Sequence, residues 1–223
     1  AAQTQFAPAE RATTDELHQQ VQSLLENELA GSLLDAYPLP AMLLNQQRQI
    51  VRANTRMVHA SGQAEAALWG LRPGEAFGCV NADDAPGGCG TADACRFCGA
   101  VLAVLEAQQG QQQANAECRI RRQRRSFEES LEMRATVTPL PIGPQRYLLV
   151  TLEDITDFKR RQVFERLFFD ETVSLLQGLL GLLSLLEEGG DDEDLRHELR
   201  SVAQRLCDEI EAQRDLTEAE RGD

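Results

Sequence analysis

Apolar positions first appear at helical spacing. Leu17, Val21, Leu24 and Leu25 recur at steps of three and four behind the capping candidates Thr13 and Thr14, with Asp15 and Glu16 in the first turn. The spacing predicts a helix within 13–36 that ends near Gly31 or shortly after it, with Pro38 and Pro40 stopping any continuation. Residues 1–12 read as a loose tail. From Tyr37 the pattern becomes that of short strands: Ala41–Leu44 and Gln49–Arg52, on either side of the polar turn Asn45–Arg48. After Asn54 come two short helices, around Thr55–Ser61 and Ala64–Trp69. Periodicity is then lost over 77–99 and returns in a predicted helix, Ala100–Gln109, stopped by Gly110. Three strands follow, Ala114–Arg121, Phe127–Pro139 and Arg146–Glu153, with Pro139, Pro141, Gly143 and Pro144 marking the last turn.

From Asp154 onward the apolar positions form two adjacent helical rows. One is Phe168, Leu175, Leu179, Leu182 and Leu186; the other is Phe169, Val173, Leu176, Leu180 and Leu183. Gly189-Gly190 ends this helix and Asp191-Asp192 can start the next, which carries Leu195, Leu199, Val202, Leu206 and Ile210. Two adjacent rows make a face broader than a two-stranded coil needs and suit a four-helix bundle. One hairpin covers a single row; two hairpins from two chains cover both, so the pattern predicts a homodimer.

The unpatterned stretch holds four of the six cysteines, Cys79, Cys89, Cys95 and Cys98, spaced C-x9-C-x5-C-x2-C among Gly, Asp and Pro. It has little apolar surface to bury, and a loop this long inside a domain is functional or disordered. Four thiolates on one metal centre would order it. A structural zinc contributes about 10–16 kcal/mol in small peptides, and an iron–sulfur cluster uses the same four-thiolate ligation. Two disulfides, at about 2–4 kcal/mol each, and buried free thiols are the alternatives. Spacing does not choose between iron and zinc. Cys98 stands just ahead of the predicted helix, whose N-terminus favours a thiolate. Cys118, on the next strand, reads as a small buried residue and is a candidate fifth ligand. Cys95-x-x-Cys98 as a redox-active pair lacks the βαβ order of thioredoxin-like enzymes. Cys207 reads as a core residue, and His18 and His59 carry no signal.

Charge narrows the partners. With 36 acidic against 22 basic residues the net charge is −14, which opposes nonspecific nucleic-acid binding. The basic run Arg119–Arg125 reads as the solvated end of a β-hairpin. The longest apolar run, Leu179–Leu186, is broken by Gly181 and Ser184 and falls short of the ~20 residues that span a bilayer, so no membrane segment is expected. The opening residues lack the basic and apolar regions of a signal peptide. A cytoplasmic, reducing location follows as the expectation, and it favours metal over disulfides.

The order of elements from Tyr37 to Thr156 resembles a PAS sensor domain. Pro38-Leu-Pro-Ala-Met-Leu-Leu44 with Ile50, Val51 and Asn54 resembles the usual PAS opening, and Asp154-Ile155-Thr156 resembles the Asp-x-Thr signature at the exit. The resemblance implies an α+β fold: a five-stranded antiparallel sheet with flanking helices over 37–153. It also implies a pocket between sheet and helices, and a relay through Asp154, Ile155 and Thr156. The Cys-rich loop 77–99 departs from the common PAS pattern. The hairpin 154–223 resembles the dimerisation and phosphoacceptor hairpin of sensor histidine kinases. Those kinases often read Phe-Phe-His-Asp; here the residues are Phe168-Phe169-Asp170-Glu171, so Asp170 is a degenerate phosphoacceptor position. His197-Glu198-Leu199-Arg200 resembles the motif of another kinase subgroup, but on the second helix and with no Pro after it.

Together these readings give a cytosolic two-component-type sensor module without enzyme activity of its own. An iron–sulfur centre on Cys79, Cys89, Cys95 and Cys98 would control a dimeric four-helix bundle. A response regulator or a separate kinase is the candidate downstream partner. The alternative is a constitutive dimeric scaffold, held by structural zinc, that binds a response regulator.

Overall fold

The computed structural model describes residues 4–124, 127–187 and 193–221 and divides into two units, 1–156 and 157–223. In the first, β1 (Ala41–Leu44), β2 (Ile50–Ala53), β3 (Ala114–Arg124), β4 (Phe127–Ile142) and β5 (Gln145–Asp154) form one sheet in the order β2-β1-β5-β4-β3. Every neighbouring pair is antiparallel. Between β2 and β3 lie the short helices α3 (Thr55–Ser61), α4 (Glu65–Leu68) and α5 (Pro73–Ala76), two 3-10 turns, and α6 (Gly99–Gly110). The five-stranded antiparallel sheet with flanking helices is the expected fold, that of a PAS domain.

The N-terminal helix is two helices. Thr13 and Glu16 close a capping box at the start of α1 (Thr14–Leu25). The chain then breaks at Glu26, because the Asn27 side chain accepts the Ala30 N–H at 3.0 Å and starts α2 (Glu28–Ala36). These helices cover the outer sheet face through Val21, Leu24 and Leu34 against Ala41, Leu43, Val51 and Tyr147. The larger core lies on the inner face. There Met42, Leu44, Met133, Val137, Val150 and Leu152 meet Met57, Leu68, Phe77 and Val104.

Asn54 ties the opening together. It is fully buried; its side-chain oxygen accepts the Ala41 and Met57 N–H groups at 3.0 and 2.8 Å, and its amide donates to the Leu34 and Leu39 carbonyls at 3.2 and 2.9 Å. Strand β4 runs past its predicted end at Pro139 to Ile142. Residues beyond Val137 have only β5 as a neighbour, since β3 starts opposite Val137. Pro139 and Pro141 therefore sit where β4 is an edge, which is where a strand accepts a residue without an N–H.

The second unit contains α8 (Glu193–Arg221) and all but the first residue of α7 (Thr156–Glu187). Phe168, Leu175, Leu179, Leu182 and Leu186 are half-buried, as are Leu195, Leu199, Val202 and Leu206 of α8, and Gly178 approaches Val202. The second row stays exposed, by 62% at Phe169, 49% at Val173, 45% at Leu176, 63% at Leu180 and 44% at Leu183. The helix from Thr156 to Leu186 is long enough to cross a membrane and holds an 18-residue window of mean hydropathy 1.3, a possibility the short run around Leu179–Leu186 did not suggest. Its uncharged stretch, 172–186, is 15 residues, under the ~20 of a membrane span. The turn at 188–192, with the predicted Gly189-Gly190 stop, lies outside the described residues.

Candidate cofactor site

The inner face of β3, the start of α6 and the 77–99 loop enclose a cavity of about 180 Å³ lined by Cys79, Cys89, Cys95, Cys98 and Cys118. The structure thus gathers all four predicted ligands and the candidate fifth around one space. All six cysteines are free thiols, not disulfides. Among the described residues, no three His, Cys, Asp or Glu side chains stand close enough to hold a metal ion as they are; the sulfurs line the walls of the space and do not meet at a point.

Local chemistry holds each sulfur. The Cys79 N–H donates to Gly74 O at 2.8 Å, and Cys79 bridges to Arg122 of β3. The Cys89 N–H donates to Glu75 Oε1 at 3.0 Å. Gly74 lies between these two cysteines: a Cβ there would come 2.7 Å from Cys89 Sγ and 3.4 Å from Cys79 Cβ. Cys95 and Cys98 share one 3-10 turn, closed by Cys98 N–H to Cys95 O at 3.1 Å. At Gly99 a Cβ would overlap the Glu117 carbonyl oxygen, so only glycine lets α6 approach β3 this closely and bring Cys98 against Cys118.

Electrostatics divide the sulfurs. The Cys118 side chain hydrogen-bonds Cys98, and the Val101 and Ala100 N–H groups at the helix start add to it; together they hold the Cys98 thiol down at about 6 despite burial. The same hydrogen bond pushes Cys118 up, as does its burial. Burial pushes Cys89 up to about 12 against a backbone bond from Gly74, and raises Cys79 against backbone bonds from Asn81 and Arg121. Of these sulfurs only Cys98 is held toward the thiolate; the others are soft donors that a bound metal or cluster would deprotonate.

The tail expected at 1–12 is, over residues 4–12, an ordered strap across the Cys loop. Its backbone bonds the loop through Gln5 N–H to Thr91 O at 2.9 Å and Ala7 N–H to Gly90 O at 3.0 Å, and Phe6 packs against Ala85, Ala92 and Cys95. Two buried arginines, missed at the sequence level, fasten it. Arg48 donates to Pro8 O. Arg72, only 1% exposed, donates to Glu10 O at 2.8 Å, Gly87 O at 2.9 Å and Cys89 O at 3.3 Å. Burial lowers the pKa of both, Arg72 to about 10 with Arg48 and Arg11 repelling it. Arg48, in the polar turn after β1, holds a φ of 64°, a conformation that suits Gly or Asn; no sequence signal singles it out.

The exit lies on the same sheet rung as the cavity wall. Cys118 pairs with Met133 across β3–β4, and Met133 pairs with Asp154 across β4–β5. At the next rung Arg119 forms an ion pair with Glu132. The Glu132 backbone accepts from Ile155 N–H at 2.8 Å and donates to Thr156 Oγ1 at 3.0 Å, while Asp154 Oδ1 accepts the Thr156 N–H at 2.9 Å and caps α7. Arg122 of the basic run likewise pairs with Glu129 of β4.

Other predicted positions stand apart. Asp170 is exposed, with Arg166 at 3.9 Å, and His197 is exposed on α8. His59 and His18 lie outside the cavity lining. Cys207, expected in the core, is exposed because it lies beside the Leu199–Leu206 row and not in it.

No protein-family model matches the sequence, and no curated protein does. Among solved structures the chain is similar to a PAS domain from a two-component sensor histidine kinase, with 14% identity over 60% of this chain and 99% of that one, at a TM-score of 0.39. It is also similar to the PAS domain of Bordetella pertussis BvgS (12%, 64% and 94%, 0.39) and to the Rhodobacter sphaeroides LOV protein (12%, 91% and 99%, 0.42). The strand order, not these superpositions, carries the fold.

Proposed function

We propose that this PAS domain is a cytosolic sensor in which Cys79, Cys89, Cys95 and Cys98 hold an iron–sulfur cluster, with Cys118 as a neighbouring fifth sulfur. The observation that carries the reading is five cysteines around one cavity beside buried guanidinium groups. A cluster of several irons and sulfides spreads its thiolates further than a single ion does, which accords with sulfurs that line a space without meeting. When bound, the cluster supplies two redox states. Cys118 of the cavity wall shares a rung with Asp154, so a shift at β3 would reach the cap of α7 through β4. Coupling of this kind needs the two states to prefer different helix geometries, by about 1–3 kcal/mol.

The test is absorption, iron and sulfide analysis of protein purified without oxygen. Expected are a visible sulfur-to-iron band and its loss in Cys95→Ser/Cys98→Ser. A metal-free, colourless wild type refutes the reading. One zinc per chain without colour replaces it with the structural-zinc scaffold.

The hairpin completes the module as a homodimer. The Phe169–Leu183 row is exposed in one chain, and burying each leucine contributes about 1.5–3 kcal/mol; a second copy supplies an identical row. Leu176→Glu/Leu183→Glu converts a sedimenting dimer to a monomer; an unchanged sedimentation coefficient refutes this interface. Asp170 offers no imidazole for phosphotransfer, so the module acts on a response regulator or a separate kinase and not as an enzyme itself.

A further inference from the structure

We propose that the buried Arg48 and Arg72, with Glu75 and the exposed Arg11 beside them, form a counter-charge for the cysteine site, which makes the cavity selective for a centre of net negative charge. The inference rests on the cluster reading above and adds what sets the charge and potential of that centre. Three arginines gather here around a single carboxylate, and only the Arg11 guanidinium pairs with it. Glu75 takes Arg11 in an ion pair and accepts the backbone N–H groups of Arg72 and Cys89 at 2.9 and 3.0 Å. Among the described residues, no carboxylate forms an ion pair with Arg48 or Arg72, whose hydrogen bonds go to backbone carbonyls. Arg48 is 5% exposed and Arg72 1%. Buried cations without an anionic partner are costly. What they face instead is sulfur: both arginines line the cavity with the cysteines. Arg48 is also pressed against the Cys89-Gly90 backbone so closely that a Cβ at Gly90 would meet its guanidinium.

A second observation points the same way. Arg48 holds a left-handed backbone, φ 64°, at a turn position that glycine or asparagine fills without strain. A long cationic side chain kept on a strained backbone and turned into the sulfur cavity is placed for its charge. Four thiolates around iron and sulfide carry the negative charge that would complete the group, and nearby charge is one of the levers that set a cluster's potential.

The experiment is a spectroelectrochemical titration of the cluster-loaded full chain in wild type, Arg48→Met, Arg48→Lys and Glu75→Gln. Removing the positive charge shifts the reduction potential down, Arg48→Lys stays near wild type, and Glu75→Gln shifts it up. Opposite shifts from the two charge-removing variants are what a merely structural role would not give. Should Arg48→Met fail to load, Glu75→Gln decides: an upward shift supports the inference and an unmoved potential overturns it. Unmoved potentials in loaded Arg48→Met and Glu75→Gln overturn the counter-charge while leaving the cluster reading intact. A wild type that takes up no cluster overturns both.

Discussion

Replacing Gly99 with alanine tests whether the close approach of α6 to β3 builds the site. The added methyl overlaps the Glu117 carbonyl oxygen and sits 3.0 Å from Ala116 Cβ and from the Glu117 carbonyl carbon. Glu117 is locked in β3, paired with Arg134 of β4, so the backbone cannot give locally and the helix start must move. Overpacking of this kind costs about 1–3 kcal/mol, with backbone as the obstacle placing it toward the upper end. The helix-propensity gain of Gly to Ala, at most about 1 kcal/mol, offsets part of it. A net loss of about 2 kcal/mol lowers the urea midpoint by about 1 M at a slope near 2 kcal/mol/M. Because Cys98 precedes Gly99, the same shift pulls its sulfur from Cys118 and reduces cluster loading. Gly110→Ala, at the far end of α6, meets nothing within 4 Å and serves as the control, neutral or slightly stabilising. Equal midpoints and equal loading in wild type and Gly99→Ala would refute the reasoning.

Two further outcomes can be checked. Asn54→Ala removes the buried acceptor of the Ala41 and Met57 N–H groups and costs about 3 kcal/mol, read as a drop in unfolding free energy; a loss under 1 kcal/mol contradicts the assignment. In metal-free protein at pH 7, iodoacetamide modifies Cys98 well before Cys89, measured by peptide mass mapping, since one thiol is held at about 6 and the other at about 12. The linked stability follows from the same signs. The Cys98 contribution is full above the ordinary thiol value of about 8.5 and is lost as pH falls through about 6. That of Cys89 is present below about 8.5 and is lost as pH rises toward 12. A metal-free stability profile flat across pH 6–9 counts against the Cys98 environment.

Elements with strong period were legible in the sequence: the strand at Ala114, the helix after Cys98, and the two leucine rows of α7 each follow from repeats of two or 3.6 residues, while the strand at Ala41 showed as a short apolar run before a polar turn. So was the cysteine quartet, because four thiols in an unpatterned stretch need a reason to be there. The break at Asn27 was not legible, since apolar spacing continues across it and only the side-chain cap starts a new helix. Nor was the strap. Gln5, Phe6 and Ala7 carry no periodicity, and their order comes from backbone bonds to Gly90 and Thr91, some 85 residues away. Arg48 and Arg72 look like ordinary polar positions, because a sequence does not show which arginines tertiary contacts will bury.

The overhang of β4 has a consequence for how the protein survives in a crowded solution. Past Val137 the strand has an open flank of the kind that templates a stranger's strand and seeds aggregation. The ladder to β5 runs unbroken through Pro139 and Pro141, and residues two apart point the same way, so the absent donors belong to the open flank. An incoming chain finds carbonyls with no N–H between them and cannot zip on. The same two rings that obscured the end of the strand in the sequence keep that edge from recruiting neighbours.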